Sequence, residues 1–139
     1  DLRRAIMPQL PLDQFYLYIK HLLSGLLLVG GFVAVYCRFT PFSEVQLIRR
    51  GCSAATLSLA GAIVGFSLTV ASSILHNDQF PMFVIWGTLA AVVQMAAYLL
   101  IERSLPEMKR ALEANNVAMG GLMGTVSLVV GVINAACLS

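Results

Sequence analysis

Four long apolar runs divide the chain, and short polar or charged stretches separate them. The runs cover about residues 15–37, 52–75, 81–101 and 117–137. Each has roughly the 20 apolar residues that a helix needs to cross the hydrocarbon core of a bilayer. The pattern therefore predicts an all-α, integral membrane four-helix bundle over residues 15–139, preceded by a lead-in over residues 1–14.

The two charged connections, after the first and third spans, each predict a short amphipathic helix that begins near a proline, Pro41 or Pro106. Ser43 and Gln46 have the spacing of a capping box, in which two side chains satisfy free N–H groups at a helix start. The second and third spans are joined by only a few polar residues. A link this short predicts an antiparallel hairpin.

The chain resembles two copies of a two-helix unit. Pro41 and Pro106 are separated by the same number of residues as Gly51 and Asn116. With that constant offset, the members of each pair occupy corresponding positions in the two copies. Because a copy contains two spans, both copies insert the same way round. The sequence thus predicts parallel repeats about an axis along the membrane normal.

Lysine and arginine are concentrated in the first and third connections, and the middle connection has neither. The residues are Arg38, Arg49, Arg50, Arg103, Lys109 and Arg110. Positive charge favours the cytoplasmic side, which predicts that both termini face the outer, periplasmic side. Arg3, Arg4 and Lys20 argue for the opposite orientation.

Composition supports a membrane protein and excludes several other classes. Hydrophobic residues make up 58% of the chain, charged residues 12%, and the mean hydropathy is +0.82. The net charge of +2 comes without a dense basic cluster, so we expect no nucleic-acid partner. The three cysteines form no C-x-x-C pair and have no zinc-site spacing. With no nucleophile–base pair or phosphate loop either, we expect no enzyme activity, cofactor or metal.

Small residues in the second and fourth spans predict close helix packing, because they let two backbones approach each other. The helix-packing candidates are Gly61, Gly65, Gly120, Gly124 and Gly131. Gly61 and Gly65 form a GxxxG motif. That motif has two interpretations, packing inside one chain or a face for dimerisation.

Four polar side chains inside the spans are further candidates: Gln94, Asn134, Thr56 and Ser67. Hydroxyls in a helix can bond back to a carbonyl of the preceding turn. An amide in hydrocarbon requires a partner, typically on another helix. These groups therefore either fix the packing or line a binding or conducting space.

Asn115 and Asn116 open the fourth span. Asparagine is a preferred residue for capping a helix start. The alternative is an anion site at the inner face, made by free N–H groups of the helix with help from Lys109 and Arg110.

Several segments together resemble a known family. They are Arg38-Phe39-Thr40-Pro41, Glu44-Val45-Gln46-Leu47-Ile48, Trp86-Gly87, Met123-Gly124-Thr125 and Asn134-Ala135-Ala136-Cys137. They are similar to the YjfL-like inner-membrane family, domain of unknown function 350. The resemblance implies a four-span bacterial inner-membrane protein and no established activity. Gly51-Cys52 departs from the family, which tends to have an asparagine before the second span.

Two functions remain open at this stage. The first is a self-associating structural or interaction subunit of a membrane assembly, whose partners are lipid, other copies of the chain and other membrane or membrane-associated proteins. The alternative is an oligomeric channel or small-solute pore with an uncharged polar lining. The sequence favours the first, because its small-residue faces supply all that this role requires.

Overall fold

The structure, a computed structural model, describes residues 11–40 and 43–139. These residues contain six helices and no strand. The helices are α1 (Leu12–Phe39), α2 (Glu44–Arg49), α3 (Ser53–His76), α4 (Phe80–Ser104), α5 (Met108–Glu113) and α6 (Val117–Cys137). The all-α prediction is confirmed.

Within this described part, α1, α3, α4 and α6 are long and apolar enough to cross a membrane, which confirms the four-helix prediction. The first helix begins at Leu12, within the stretch that the sequence pattern assigned to the lead-in. Residues 1–10 of that lead-in, together with Pro41 and Phe42, lie outside the described residues.

The link between α3 and α4 is only three residues long, and Pro81 lies in the first turn of α4, where its missing N–H is not needed. The short helices α2 and α5 lead into α3 and α6. The capping box predicted at Ser43 and Gln46 is wrong, because Ser43 makes no side-chain hydrogen bond to its helix.

Each of the two short helices is followed, two residues after its last helical residue, by a residue with left-handed backbone. Gly51 has φ +82° and Asn115 has φ +58°. In both places the next N–H donates to a carbonyl oxygen five residues earlier, at 2.9 and 2.8 Å, the bond of a Schellman motif. Asn115 thus occupies the position that corresponds to Gly51, one residue before the Asn116 that the sequence interval suggested.

The helix α3 lies at the centre of the bundle, and α1 lies at its periphery. In the most apolar 18-residue segment of α3, 50% of the residues are buried inside the protein, compared with 17% in that of α1. The most extensive helix contact is between α3 and α6. The link to α1 is largely aromatic, since Phe66 of α3 stacks on Phe32 with ring centroids 4.5 Å apart.

Candidate functional site

The contact between α3 and α6 is a parallel backbone-to-backbone interface. The close pairs advance along both helices in step. They are Gly120 with Ala54, Gly124 with Gly61, and Gly131 with Gly65. At all five glycines proposed from the sequence, a Cβ atom would overlap backbone atoms of the opposite helix. This GxxxG surface is therefore occupied by packing inside one chain.

Hydroxyl groups of α3 reinforce this interface. Thr69 Oγ1 donates to Gly131 O at 3.0 Å, and Ser72 Oγ donates to Ala135 O at 2.6 Å. Ser73 Oγ donates to a carbonyl oxygen of α4 at 3.1 Å. In hydrocarbon a hydroxyl without a partner is costly, so these bonds join three helices at defined depths.

The amide side chains of Gln94 and Asn134 link α4 to the packed helices α3 and α6. Gln94 is 2% exposed, and its Nε2 lies 3.3 Å from Ala62 O and 3.2 Å from Ser127 O. Near the other end of α6, Asn134 Nδ2 donates to Ala90 O at 3.0 Å. Both amides therefore bond to backbone carbonyls of neighbouring helices.

Thr56 and Ser67, the other polar candidates, are not part of this set. Thr56 is exposed and donates to Cys52 O within its own helix at 3.0 Å, and Ser67 is half-buried. The hydroxyls that the structure buries on α3 are Ser58, Thr69, Ser72 and Ser73. Ser58, Thr69 and Ser72 follow one another at intervals of three to four residues only when Gly61 and Gly65 are counted with them, and that joint spacing was the available signal for a common face.

Asn115 and Asn116 cap two different helices. Asn116 Oδ1 accepts from Met119 N at 3.2 Å, at the start of its own helix α6. Asn115 Oδ1 accepts from Ala54 N at 3.0 Å, at the start of α3. Asn115, which precedes α6, thus supplies the cap for α3, whose own start has Gly51-Cys52 instead of an asparagine.

Lys109 and Arg110 are exposed on α5. An anion bound between them and the helix starts would need free N–H groups. The asparagine oxygens accept two of those N–H groups, one on α3 and one on α6. The geometry at this position is that of caps.

In contrast to the exposed cations Lys109 and Arg110, Glu44 on α2 is a buried acid. This carboxyl is only 1% exposed and lies against the end of α1. The thiol of Cys37 donates to Glu44 Oε2 over 3.8 Å. Among the described residues Glu44 Oε1 has no hydrogen-bond partner, nor has the buried hydroxyl of Tyr98 on α4. The neighbouring Tyr36 hydroxyl lies 3.4 Å from Ser58 Oγ.

Burial sets the protonation of this carboxyl, because a charged group loses its hydration there. Burial raises the pKa of Glu44 to about 8, although hydrogen bonding, first of all from Cys37, acts in the opposite direction. In the sequence, Glu44 stands out only as part of a helix start in a charged connection and of the Glu44-Val45-Gln46-Leu47-Ile48 segment that resembles the family. The signal that the sequence offered was that Glu44 is the one acid between Arg38 and Arg50.

The N-terminal part of α1 and the start of α4 meet in a smaller aromatic cluster. Lys20 Nζ lies 4.1 Å from the Phe80 ring centroid, and the His21 ring lies 5.7 Å from both Phe80 and Phe83. No group of three or more metal-ligating side chains occurs in residues 11–40 and 43–139. The histidine is held by ring packing and by Leu17 O, 2.8 Å from its Nδ1.

The fold and its packing define a multi-pass helical membrane protein. Residues 9–138 match the family model described as Domain of Unknown Function (DUF350), and the chain belongs to that family. It is 29% identical over 128 residues to the inner membrane protein YjfL of Escherichia coli strain K12 and to that of strain O157:H7. The alignment covers 92% of this chain and 97% of each relative.

No solved structure matches the chain. The resemblance drawn from the sequence is confirmed, and the chain is a small inner-membrane protein. The family is not a known enzyme family, and its description assigns no activity. A function therefore has to be argued from the arrangement of the residues.

Proposed function

We propose that the protein is a structural subunit of the bacterial inner membrane that self-associates and offers its outer faces to lipid and to other membrane proteins. The observation that carries this proposal is the use of the buried polar groups. The hydroxyls of Thr69, Ser72 and Ser73 and the amides of Gln94 and Asn134 all donate to backbone carbonyls of neighbouring helices.

This arrangement favours a scaffold over a pore. A solute pathway needs polar groups that face a water-filled space and exchange partners with the solute. Here the buried hydroxyls and amides donate to backbone carbonyls of neighbouring helices and so hold the helices together. An oligomeric pore would have to draw its lining from exposed hydroxyls such as Thr56 and Thr88, and each of these bonds to a carbonyl of its own helix.

A surface for self-association lies between the peripheral helix α1 and α4. Here a groove of about 440 Å³ is lined mainly by apolar residues, and three of them are small, Gly31, Ala91 and Ala96. We call it the α1–α4 groove. Small residues let a further helix approach closely. A Cβ atom at Gly30 or Gly31 would meet nothing within 4 Å, so this side of α1 is open to a helix of a second copy.

Filling the α1–α4 groove tests this proposal. Gly31→Leu is expected to shift the protein towards monomers in lipid nanodiscs or mild detergent, measured by light scattering, because the added side chain occupies the space of the partner helix. Gly121→Leu is the matched control. It adds the same side chain at another open glycine, on α6. Equal masses for the two variants, or a monomeric parent protein at every protein-to-lipid ratio, would contradict self-association through this groove.

We also propose that the α2 and α5 end of the bundle faces the cytoplasm, on the basis of its lysine and arginine content. Cys137 lies at the opposite end and is exposed, whereas Cys52 is buried and Cys37 half-buried. A membrane-impermeant maleimide added to spheroplasts is therefore expected to label Cys137 rapidly. Cys137→Ser should abolish that labelling. Labelling of Cys137 only after the cells are broken would reverse the orientation.

A further inference from the structure

The Glu44 carboxyl has the surroundings of a group that is enclosed in its neutral form. Its side chain is buried, and the end of the bundle encloses it from three helices. An ionised carboxylate in such a place is stable only when strong donors or a cation compensate for its lost hydration. Its side-chain donors are a thiol, that of Cys37, which is weak, and the neutral hydroxyl of Tyr36, and Oε1 has no hydrogen-bond partner among the described residues.

The titratable groups around Glu44 are themselves neutral or acidic. From α1 it faces Tyr36 and Cys37. From α4 it faces Tyr98, beyond which Glu102 lies one turn further along the helix. Ser58 of α3 closes the cluster through its contact with Tyr36. None of these groups carries the positive charge that would stabilise an ionised Glu44.

Apart from Glu44, few side chains of α2 contact the rest of the bundle. The helix α2 is six residues long and packs on the core through two half-buried side chains, Leu47 and Ile48. Both of its arginine neighbours, Arg49 and Arg50, are exposed. The Glu44 side chain is thus the part of α2 that is inserted most deeply into the bundle.

We propose that the Glu44 carboxyl is a proton-binding site, and that the bound proton holds α2 against the end of the bundle. Binding converts the carboxylate to a neutral carboxylic acid, which remains buried beside Tyr36 and Tyr98 at a much lower cost in lost hydration. Release returns the proton to water on the side of the membrane where α2 lies. The remaining charge then favours a state in which α2 has moved away and water reaches the carboxylate.

The site makes the docking of α2 depend on pH in a defined direction. Burial raises the pKa of the docked carboxyl to about 8, whereas a hydrated glutamate titrates near 4.3. Between these values the open state binds fewer protons than the docked state. Opening of α2 should therefore become on the order of tenfold more frequent for each pH unit between about 5 and 8.

The proton itself can be observed by infrared spectroscopy of the full chain in lipid nanodiscs, with the glutamate carboxyls labelled with ¹³C. We expect the band of a protonated glutamic acid at pH 7, and its loss with a midpoint near pH 8. Glu44→Gln should remove that band, whereas Glu107→Gln, at an exposed position, should retain it. A parent protein with no protonated glutamic acid at pH 7 would overturn the proposal, even if Glu44→Gln does not fold.

The coupling to α2 is measured by hydrogen exchange of the amides of residues 44–49, corrected for the intrinsic effect of pH. Exchange in the parent protein should rise steeply from pH 6 to pH 8. In Glu44→Gln, which mimics the protonated acid, it should stay constant. Exchange that is independent of pH in the parent protein, or equally dependent in both proteins, would show that the proton does not control the docking of α2.

Discussion

Gly120→Ala is expected to destabilise the bundle, whereas Gly121→Ala, one residue further along the same helix, should leave it unchanged or slightly more stable. A methyl group at Gly120 would overlap the backbone of α3 at Ala54, while a methyl group at Gly121 meets no atom within 4 Å. Overpacking a core typically costs about 1–3 kcal/mol. The cost at Gly120 should be at or above that range, because a backbone cannot move aside as a flexible side chain can.

The measurement is unfolding of the detergent-solubilised protein by heat or by a denaturing detergent, followed by helical circular dichroism. Gly124→Ala should behave like Gly120→Ala, because its Cβ would overlap the α3 backbone at Leu57. The intrinsic helix preference of alanine is the same at neighbouring positions, so the difference between Gly120 and Gly121 isolates the contact. Equal stabilities for the two variants would mean that α3 and α6 do not approach as described.

Glu44→Gln is expected to abolish most of the pH dependence of folding stability between pH 5 and pH 8. The folded carboxyl has its pKa raised to about 8, above the value of about 4.3 for an unfolded chain. The folded protein therefore binds the proton more tightly. Its stabilising effect is complete below about pH 4.3 and is lost as the pH rises to about 8, by up to about 1.4 kcal/mol per pH unit.

Thermal unfolding at pH 5 and pH 8 tests this, with the fluorescence of Trp86, the one tryptophan, as the probe. The parent protein should lose several degrees more than Glu44→Gln between the two pH values, and the variant should be the more stable protein at pH 8. Glu107→Gln, at an exposed acid, is the control and should follow the parent. A parent protein that becomes more stable at pH 8 would contradict the raised pKa.

The short helices α2 and α5 are both followed by a residue with left-handed backbone, but the two residues differ in what their side chains do. The left-handed residues Gly51 and Asn115 end the short helices α2 and α5 in the same manner. Only Asn115 also has a side chain, and its oxygen caps α3 across the interface. A single asparagine thus follows the end of α5 and caps the start of α3, which ties these two helices together at one end of the bundle.

The candidate site was predictable in part. Glycines spaced by four and seven residues indicate a helix-packing face, and the structure uses these glycines at the interface of α3 with α6. The amides Gln94 and Asn134 stand out as polar residues in apolar runs. The sequence did not distinguish Thr56, which faces outward, from Thr69, which bonds to α6, because that depends on which side of α3 is buried.

Glu44 was overlooked for a related reason. It lies in a connection with several charges, where the pattern of the chain indicates contact with water. Its burial depends on the angle at which a six-residue helix returns to the bundle, and no periodicity in so short a segment reports that angle. The same holds for Asn115, whose partner Ala54 lies 61 residues earlier in the chain.

Lengths of apolar chain and short links constrain structure locally, so the four membrane helices and the α3–α4 hairpin could be predicted from them. The family could be predicted from a few specific segments of the sequence. The packing of the helices was needed to establish that α3 is central, that the glycines pack inside one chain, and that Glu44 is enclosed with no positive partner among the described residues. Those outcomes depend on the relative rotation and depth of helices far apart in sequence. Side-chain environments, and with them the protonation of a buried acid, arise only after the helices have packed.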